Sequence, residues 1–220
     1  MPKIQANKTV MSKLISNISV DERIDILNTF SFSEDQLEEM IKEGVFENFF
    51  VLISKYQNLT QDFIDKYNDK LNWKYISRYQ TMSEYFMRNM KDLLDWDEIA
   101  EHKRLSDGFI DEFKEEFDWN KICEFQVLSE SFINSHEQYV DWKTLSIFQV
   151  LTEQFIKDHS DMIYMPGVCM SQKLSEQFIR DYIDRMNPLC WYYIGAKQTL
   201  SEEFKNQYST ELVSYLKTNE

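Results

Sequence analysis

The 220-residue sequence predicts an all-α protein, an α-solenoid of tandem short helix pairs with degenerate terminal caps. The first observation behind this is a period. A segment of apolar residue, hydroxyl and acid opens at Phe32, Leu59, Met82, Leu105, Leu128, Leu151, Leu174 and Leu200. Five consecutive spacings, Leu59 through Leu174, are 23 residues, while the first is 27 and the last 26. Self-similarity on that scale marks supersecondary units that bury their apolar faces by stacking. The second observation is that helix-cap residues stand at fixed offsets in every copy. The third is composition: Gly 4 and Pro 3 are too few for the many tight turns of a sheet-rich fold, or for a Gly-rich phosphate loop.

The N-terminal segment, residues 1–31, carries weaker helical signals over Val20–Phe30 and is expected to cap the array. Each repeat then opens with an apolar residue followed by Thr60, Ser83, Ser106, Ser129, Thr152, Ser175 or Ser201. A hydroxyl at that place accepts from an orphan backbone N–H, and the acids that follow it complement the helix dipole. Three residues on comes Phe63, Phe86, Phe109, Phe132, Phe155, Phe178 or Phe204, and apolar residues recur at helical spacing through Leu128, Phe132, Ile133 and His136. The first half of each unit therefore reads as a helix of about ten residues.

The second half opens on a new cap, in Leu71-Asn72, Leu94-Asp95, Phe117-Asp118 and Val140-Asp141, and Trp73, Trp96, Trp119 and Trp142 follow at once. Ile76, Ile99, Ile122 and Leu145 stand three further on, ahead of the small residues Ser77, Ala100, Cys123, Ser146 and Cys169. A small residue in each copy lets neighbouring helices approach closely, so this half reads as a helix of about eight residues. In the longer copies Phe50, Ile53, Ser54 and Gln57, and Trp191, Ile194, Gly195 and Gln198, fill the same slots once the extra residues are placed between helices. Rows of Phe and Trp are expected to form the core of an array over residues 32–212. Leu212 and Leu216 should close it, ahead of a tail at 213–220. Regularity breaks at Tyr164-Met165-Pro166-Gly167, where Pro in a first turn leaves the helix intact, and at the insertion Met186-Asn187-Pro188.

Little in the chain points to catalysis. Cys123 and Cys169 occupy the small slot, Cys190 occupies the second-helix cap, and an odd cysteine count reads as reduced and intracellular. His136 and His159 are 23 residues apart, hence in one slot of adjacent repeats. That slot elsewhere holds Tyr67, Met90, Phe113, Tyr182 and Tyr208, so an aromatic core position accounts for them better than a metal pair, and no third ligand recurs nearby. His102 has no partner for a triad, and no Walker loop, HExxH, nucleophile elbow or dinucleotide fingerprint occurs. The expectation is a protein that is not an enzyme and carries no cofactor or metal.

Binding features are more prominent. Gln57, Gln80, Gln126, Gln149, Gln172 and Gln198 end the second helices, with Lys103 as the exception. A structural amide, bonded to the last helical carbonyls or to the next repeat, explains them. Just before lies an aromatic slot: Tyr56, Tyr79, His102, Phe125 and Phe148. If exposed it is a partner-binding stripe on a solenoid face; if buried it is more core. Charge is the other feature. Lys+Arg 24 against Asp+Glu 38 gives a net −14, and residues 92–118 alone hold 11 acids and 3 bases. Such a balance argues against direct nucleic-acid binding. Asp111, Glu112, Glu115 and Glu116 either keep the array soluble or present a surface that attracts a basic groove. No run of 18 apolar residues occurs, and the opening decapeptide MPKIQANKTV lacks a signal-peptide core, so no membrane segment is expected.

The unit Leu128-Ser129-Glu130-Ser131-Phe132-Ile133, followed by Val140-Asp141-Trp142, resembles short-repeat helical proteins of large DNA viruses and bacteriophages, in which LSEEFI-like and VDWxxIS-like segments alternate. The resemblance covers about four-fifths of the chain and departs at Phe32–Asn58 and Asp161–Thr199. It implies the repeat fold, a viral or phage origin and a place in the host-cell cytoplasm, and it carries over no catalytic residues. The expected partner is a host protein, plausibly a defence factor that the array blocks. The alternative is an acidic mimic of nucleic acid that fills a DNA- or RNA-binding groove.

Overall fold

The computed structural model describes residues 15–46 and 48–214, and every regular element of more than an isolated bridge among them is helical. Contacts divide the chain into two units, Met1–Leu105 and Ser106–Glu220. Residues 1–14 of the N-terminal segment, and Leu216 with most of the 213–220 tail, lie outside the described residues.

In the first unit, α1 (Val20–Thr29) is closed by a capping box of Ser19 and Glu22. Helix α2 (Glu34–Lys42) ends at Gly44, whose φ of 73° belongs to the left-handed region and lets the chain turn back. Then come α3 (Phe50–Tyr56), α4 (Gln61–Lys66), α5 (Trp73–Tyr79), α6 (Glu84–Asn89) and α7 (Trp96–His102). The second unit runs through α8 (Asp107–Glu112), α9 (Trp119–Phe125), α10 (Glu130–Ser135), α11 (Trp142–Phe148), α12 (Glu153–Asp158), α13 (Met165–Ser171) and α14 (Glu176–Asp181). A 3-10 turn at Ile183–Arg185, α15 (Pro188–Lys197), α16 (Glu202–Gln207) and α17 (Ser209–Ser214) complete it.

Alternate helices pack on one another. In the first unit the row is α1, α3, α5, α7; in the second it is α9, α11, α13, α15, α17. Each is thus an α-solenoid stack in which second helices form a spine. Their pairs Ile53-Ser54, Ile76-Ser77, Ile99-Ala100, Ile122-Cys123, Leu145-Ser146 and Val168-Cys169 are wholly buried. Each such aliphatic side chain contributes about 1.5–3 kcal/mol relative to exposure. Phe63-Ile64, Phe86-Met87, Phe109-Ile110, Phe132-Ile133, Phe155-Ile156 and Phe178-Ile179 of the first helices cover that spine.

The hydroxyl caps are present as the period predicts: Thr60, Ser83, Ser106, Ser129, Thr152, Ser175 and Ser201 each accept from the N–H of the Phe three residues on. The first helices of these seven repeats are six residues rather than ten, and only α2 of the opening repeat, with nine, comes near that length. The residue after each leaves the α region, as His136 does at φ −126° and ψ 24°, and in every one of these repeats but that of Met90 it is a ring that folds onto the Phe four residues before. A hydrogen-bonded turn supplies the remaining residues, with the Leu71 N–H donating to the Tyr67 carbonyl at 3.1 Å.

Two expectations are corrected. The tryptophan row is not uniformly core: Trp119 and Trp191 are buried, while Trp73, Trp96 and Trp142 are half-buried at the margin. Indole is amphipathic, and its N–H reaches a carbonyl in the preceding turn at Trp73, to Asn68 at 2.8 Å, and at Trp119, to Lys114 at 2.9 Å. Cys190 is not the cap of its helix. Asn187 accepts from the Cys190 N–H and Pro188 takes the first helical position, so α15 starts earlier and Cys190 lies inside it, fully buried. Pro166 leaves α13 intact, as expected. Gly167 is needed there because a Cβ would sit 2.9 Å from Ile147 Cγ1.

Candidate functional site

Three ladders bind successive repeats, and they decide which side chains remain free for a partner. The first is made by the glutamines. The Leu128 N–H donates to Gln149 Oε1 at 2.9 Å, and Gln149 Nε2 donates to the carbonyls of Cys123 and Gln126, at 2.7 Å each. Gln57, Gln80 and Gln198 make the same clamp, and Gln172 makes it with one carbonyl, that of Gln149, while Ser171 Oγ donates to the Ser146 carbonyl in its place. The amide reaches back to the preceding repeat rather than forward to the next, because its residue is already extended, as at Gln149 with ψ 149°.

Lys103 takes the glutamine place in one repeat. Its ammonium donates to the carbonyls of Arg78 at 3.1 Å and Gln80 at 2.7 Å, but has no lone pair to receive the Met82 N–H. Burial pushes its pKa down to about 8, against an opposing attraction from Glu98. The folded pKa therefore lies below the unfolded one, near 10.5. Between those values the unfolded chain holds more protons, so stability rises with pH there and the penalty is full below about pH 8. Lys103→Gln should stabilise the protein at pH 7 by about 1–2 kcal/mol, after allowance for the partial exposure of the lysine. Urea denaturation should show that gain shrinking as the pH is raised toward 10.

The second ladder uses the acid beside a cap to hold the cap of the next repeat, with the amide of Gln61 taking that place for Ser83. Glu34 accepts from Thr60 N–H and Oγ1, Glu130 from those of Thr152, Glu153 from Ser175, and Glu176 from Ser201. The dipole explanation of these acids holds only part of their role, since each also pins the next repeat. The third ladder is aromatic. Trp119 stacks on Phe132, His136 and Tyr139 with centroids 6.3, 5.6 and 5.1 Å apart, and Trp142 stacks on Phe155 and His159. The two histidines are thus rings in a core row, bonded outward to Asp111 at 2.9 Å and Glu137 at 3.3 Å. Among the described residues no group of three or more His, Cys, Asp or Glu is arranged to hold a metal ion.

Against that background the aromatic slot stands apart. Tyr79, Phe125 and Phe148 are 48%, 44% and 50% exposed. Tyr56 is half-buried beside Lys55, and His102 turns inward, 3.8 Å from Glu101 and 4.0 Å from Glu98. Glu98 itself is buried between Lys74 at 3.6 Å and Arg78 at 3.3 Å, a cluster that sequence spacing did not suggest.

Sequence reading also missed Val127 and Val150, which are 78% and 91% exposed. The signal was there in the repeated Phe-Gln-Val at 125–127 and 148–150. The connection after each second helix is extended, so its residues alternate: Phe148 out, Gln149 in, Val150 out, Leu151 in. Gln149 bridges to residues 126 and 128, which sets the two connections side by side. Phe125, Val127, Phe148 and Val150 accordingly share one apolar edge in the second unit.

The acidic residues are elsewhere. Asp111 and Glu112 end α8, and Glu115 and Glu116 lie in the turn before α9, whereas Phe125 is the last residue of that helix. Seven helical residues, about 10 Å, separate the two features. Asp111 is bonded to His136 and Lys114, which hold its carboxyl below the ordinary value, and Glu115 accepts from Tyr139 Oη at 2.6 Å. Glu112 and Glu116 are exposed. No described helix is long and apolar enough to cross a membrane, and Cys123, Cys169 and Cys190 are free thiols. No known protein family, curated protein or solved structure matches the chain.

Proposed function

We propose that the protein is a non-enzymatic repeat array that binds a host protein in the host-cell cytoplasm and inhibits it, with the exposed aromatic slot as the contact. The observation that carries this reading is the apolar edge of Phe125, Val127, Phe148 and Val150, left in solvent by a chain whose glutamine, acid and ring ladders are otherwise internally satisfied. Tyr79 presents the same slot in the first unit. Aromatic residues, Phe among them, are enriched in protein–protein interfaces relative to the rest of the surface. The resemblance to viral and phage repeat proteins supports the host as the source of the partner.

The test is affinity capture from host lysate at low and high salt, comparing wild type with Phe125→Ser/Phe148→Ser. A discrete protein retained at high salt by the wild type, and bound at least tenfold more weakly by the double variant, is the expected outcome. Equal capture by both would remove the aromatic edge from the interface.

The second reading, an acidic mimic of nucleic acid, is favoured by the exposure of Glu112 and Glu116 in the segment of highest negative charge. A charge-driven complex loses affinity steeply with salt, and Asp111→Lys/Glu112→Lys/Glu115→Lys/Glu116→Lys would abolish it. Two of those carboxylates already serve His136 and Tyr139, which leaves fewer for a basic groove.

A further inference from the structure

The exposed edge of the second unit changes character along its length. Phe125, Phe148, Ser171 and Lys197 are the last residues of α9, α11, α13 and α15, four spine helices that pack in series. Val127, Val150, Lys173 and Thr199 follow the glutamines in the four connections, which the amides of Gln149, Gln172 and Gln198 tie side by side. All eight are exposed. The first two repeats fill the row with apolar side chains, and the next two fill it with polar ones and one cation each. No carboxylate stands in the row, although the chain holds Asp+Glu 38 against Lys+Arg 24. Helices α11, α13 and α15 contain none either. Glu124, exposed beside Phe125, is the acid at the apolar end. Glu130, Glu153 and Glu176, three residues beyond the row, are turned to the caps of Thr152, Ser175 and Ser201. Among the described residues neither Lys173 nor Lys197 is ion-paired.

We propose that this edge docks a short linear segment of the partner protein, apolar in the half that meets Phe125, Val127, Phe148 and Val150 and acidic in the half that meets Lys173 and Lys197. The inference rests on the edge being the partner contact and adds the chemistry of what it takes. The two halves divide the work: apolar area removed from water supplies affinity, while two exposed ion pairs add little affinity but fix register and reject basic segments. At physiological salt the lysines act within about 8 Å, so they respond to the segment's carboxylates rather than to the net charge of the whole molecule. Size favours a segment over a folded face. The four apolar side chains offer on the order of 400 Å², about half of what one partner gives to a standard interface. Successive spine helices lie about 9 Å apart, so about eight residues of extended chain cover the three steps of the row. A second copy of this chain would bring a further net −14 to the complex.

The probe is a displayed library of random dodecapeptides, selected on the immobilised full-length protein at physiological salt. Lys173→Glu/Lys197→Glu and Phe125→Ser/Phe148→Ser serve as parallel targets, and both should melt with the wild type because all four places are exposed. The wild type should enrich peptides with aromatic or aliphatic residues in one half and Asp or Glu in the other. By fluorescence anisotropy, those peptides should bind each double variant about tenfold more weakly. Selection without acid enrichment, or equal binding by Lys173→Glu/Lys197→Glu, would overturn the inference; if such peptides still needed Phe125 and Phe148, the apolar contact would stand without it. Acidic peptides that bound Phe125→Ser/Phe148→Ser as tightly as wild type would remove the apolar contact itself. A library that yields no peptide would also overturn the inference. The same holds for a wild-type dimer in sedimentation that Phe125→Ser/Phe148→Ser dissolves, and for single-stranded DNA bound as tightly as the best peptide.

Discussion

Gln149→Ala should destabilise the protein by about 3–5 kcal/mol, although it removes an uncharged side chain from a connecting segment. The side chain bonds three backbone groups at once: the N–H of Leu128 and the carbonyls of Cys123 and Gln126. The residue is 5% exposed, so water does not readily replace the amide. A buried backbone group left unsatisfied costs about 1–3 kcal/mol, and three lose this partner at once. Gln149→Glu separates the donor from the acceptor: it still receives the Leu128 N–H, but presents charge to two carbonyls, and should be at least as damaging. Urea denaturation gives the comparison directly, through a lower midpoint at unchanged slope. A loss under 1 kcal/mol for Gln149→Ala would mean that water enters the clamp, and that the recurring glutamine has some reason other than joining repeats.

That clamp also shows why some of the design was legible from residues and some was not. The 23-residue period, the hydroxyl caps and the buried Ile–small pairs follow from local chemistry, because a cap acts on the N–H three residues away and a helical face repeats every three to four. The direction of the Gln149 amide depends on an extended backbone after α11, which no propensity specifies. The Glu130 bond to Thr152 needs two repeats to be stacked before it exists, so its glutamate reads as a first-turn acid and nothing more. The aromatic slot was recognisable as a slot, but its exposure was not. Phe148 closes a seven-residue helix, and whether that last position faces in or out depends on the turn that follows. Once the connection is seen to be extended, the exposure of Val150 follows from simple alternation, and the alternation explains why Phe125 and Phe148 share an edge with Val127 and Val150.

Trp119→Ala should cost about 3–5 kcal/mol, and Trp142→Ala clearly less. Trp119 is 8% exposed and lies flat over Phe132, His136 and Tyr139, so truncation opens a cavity bounded by three rings that the backbone cannot collapse to fill. Trp142 makes the equivalent stack on Phe155 and His159 but is half-buried, and water can occupy part of the space it vacates. The difference between the two variants therefore measures burial at constant chemistry. Trp119→Phe isolates the remaining contribution: it keeps a ring in the stack and loses the indole N–H bond to the Lys114 carbonyl, which lies in a partly exposed turn, so about 1–2 kcal/mol is expected. If Trp119→Ala and Trp142→Ala proved equally mild, below 1 kcal/mol, the ring ladder would not be what holds successive repeats together. The glutamine and acid ladders would then have to carry that role alone, and Gln149→Ala would be expected to lie at the top of its range.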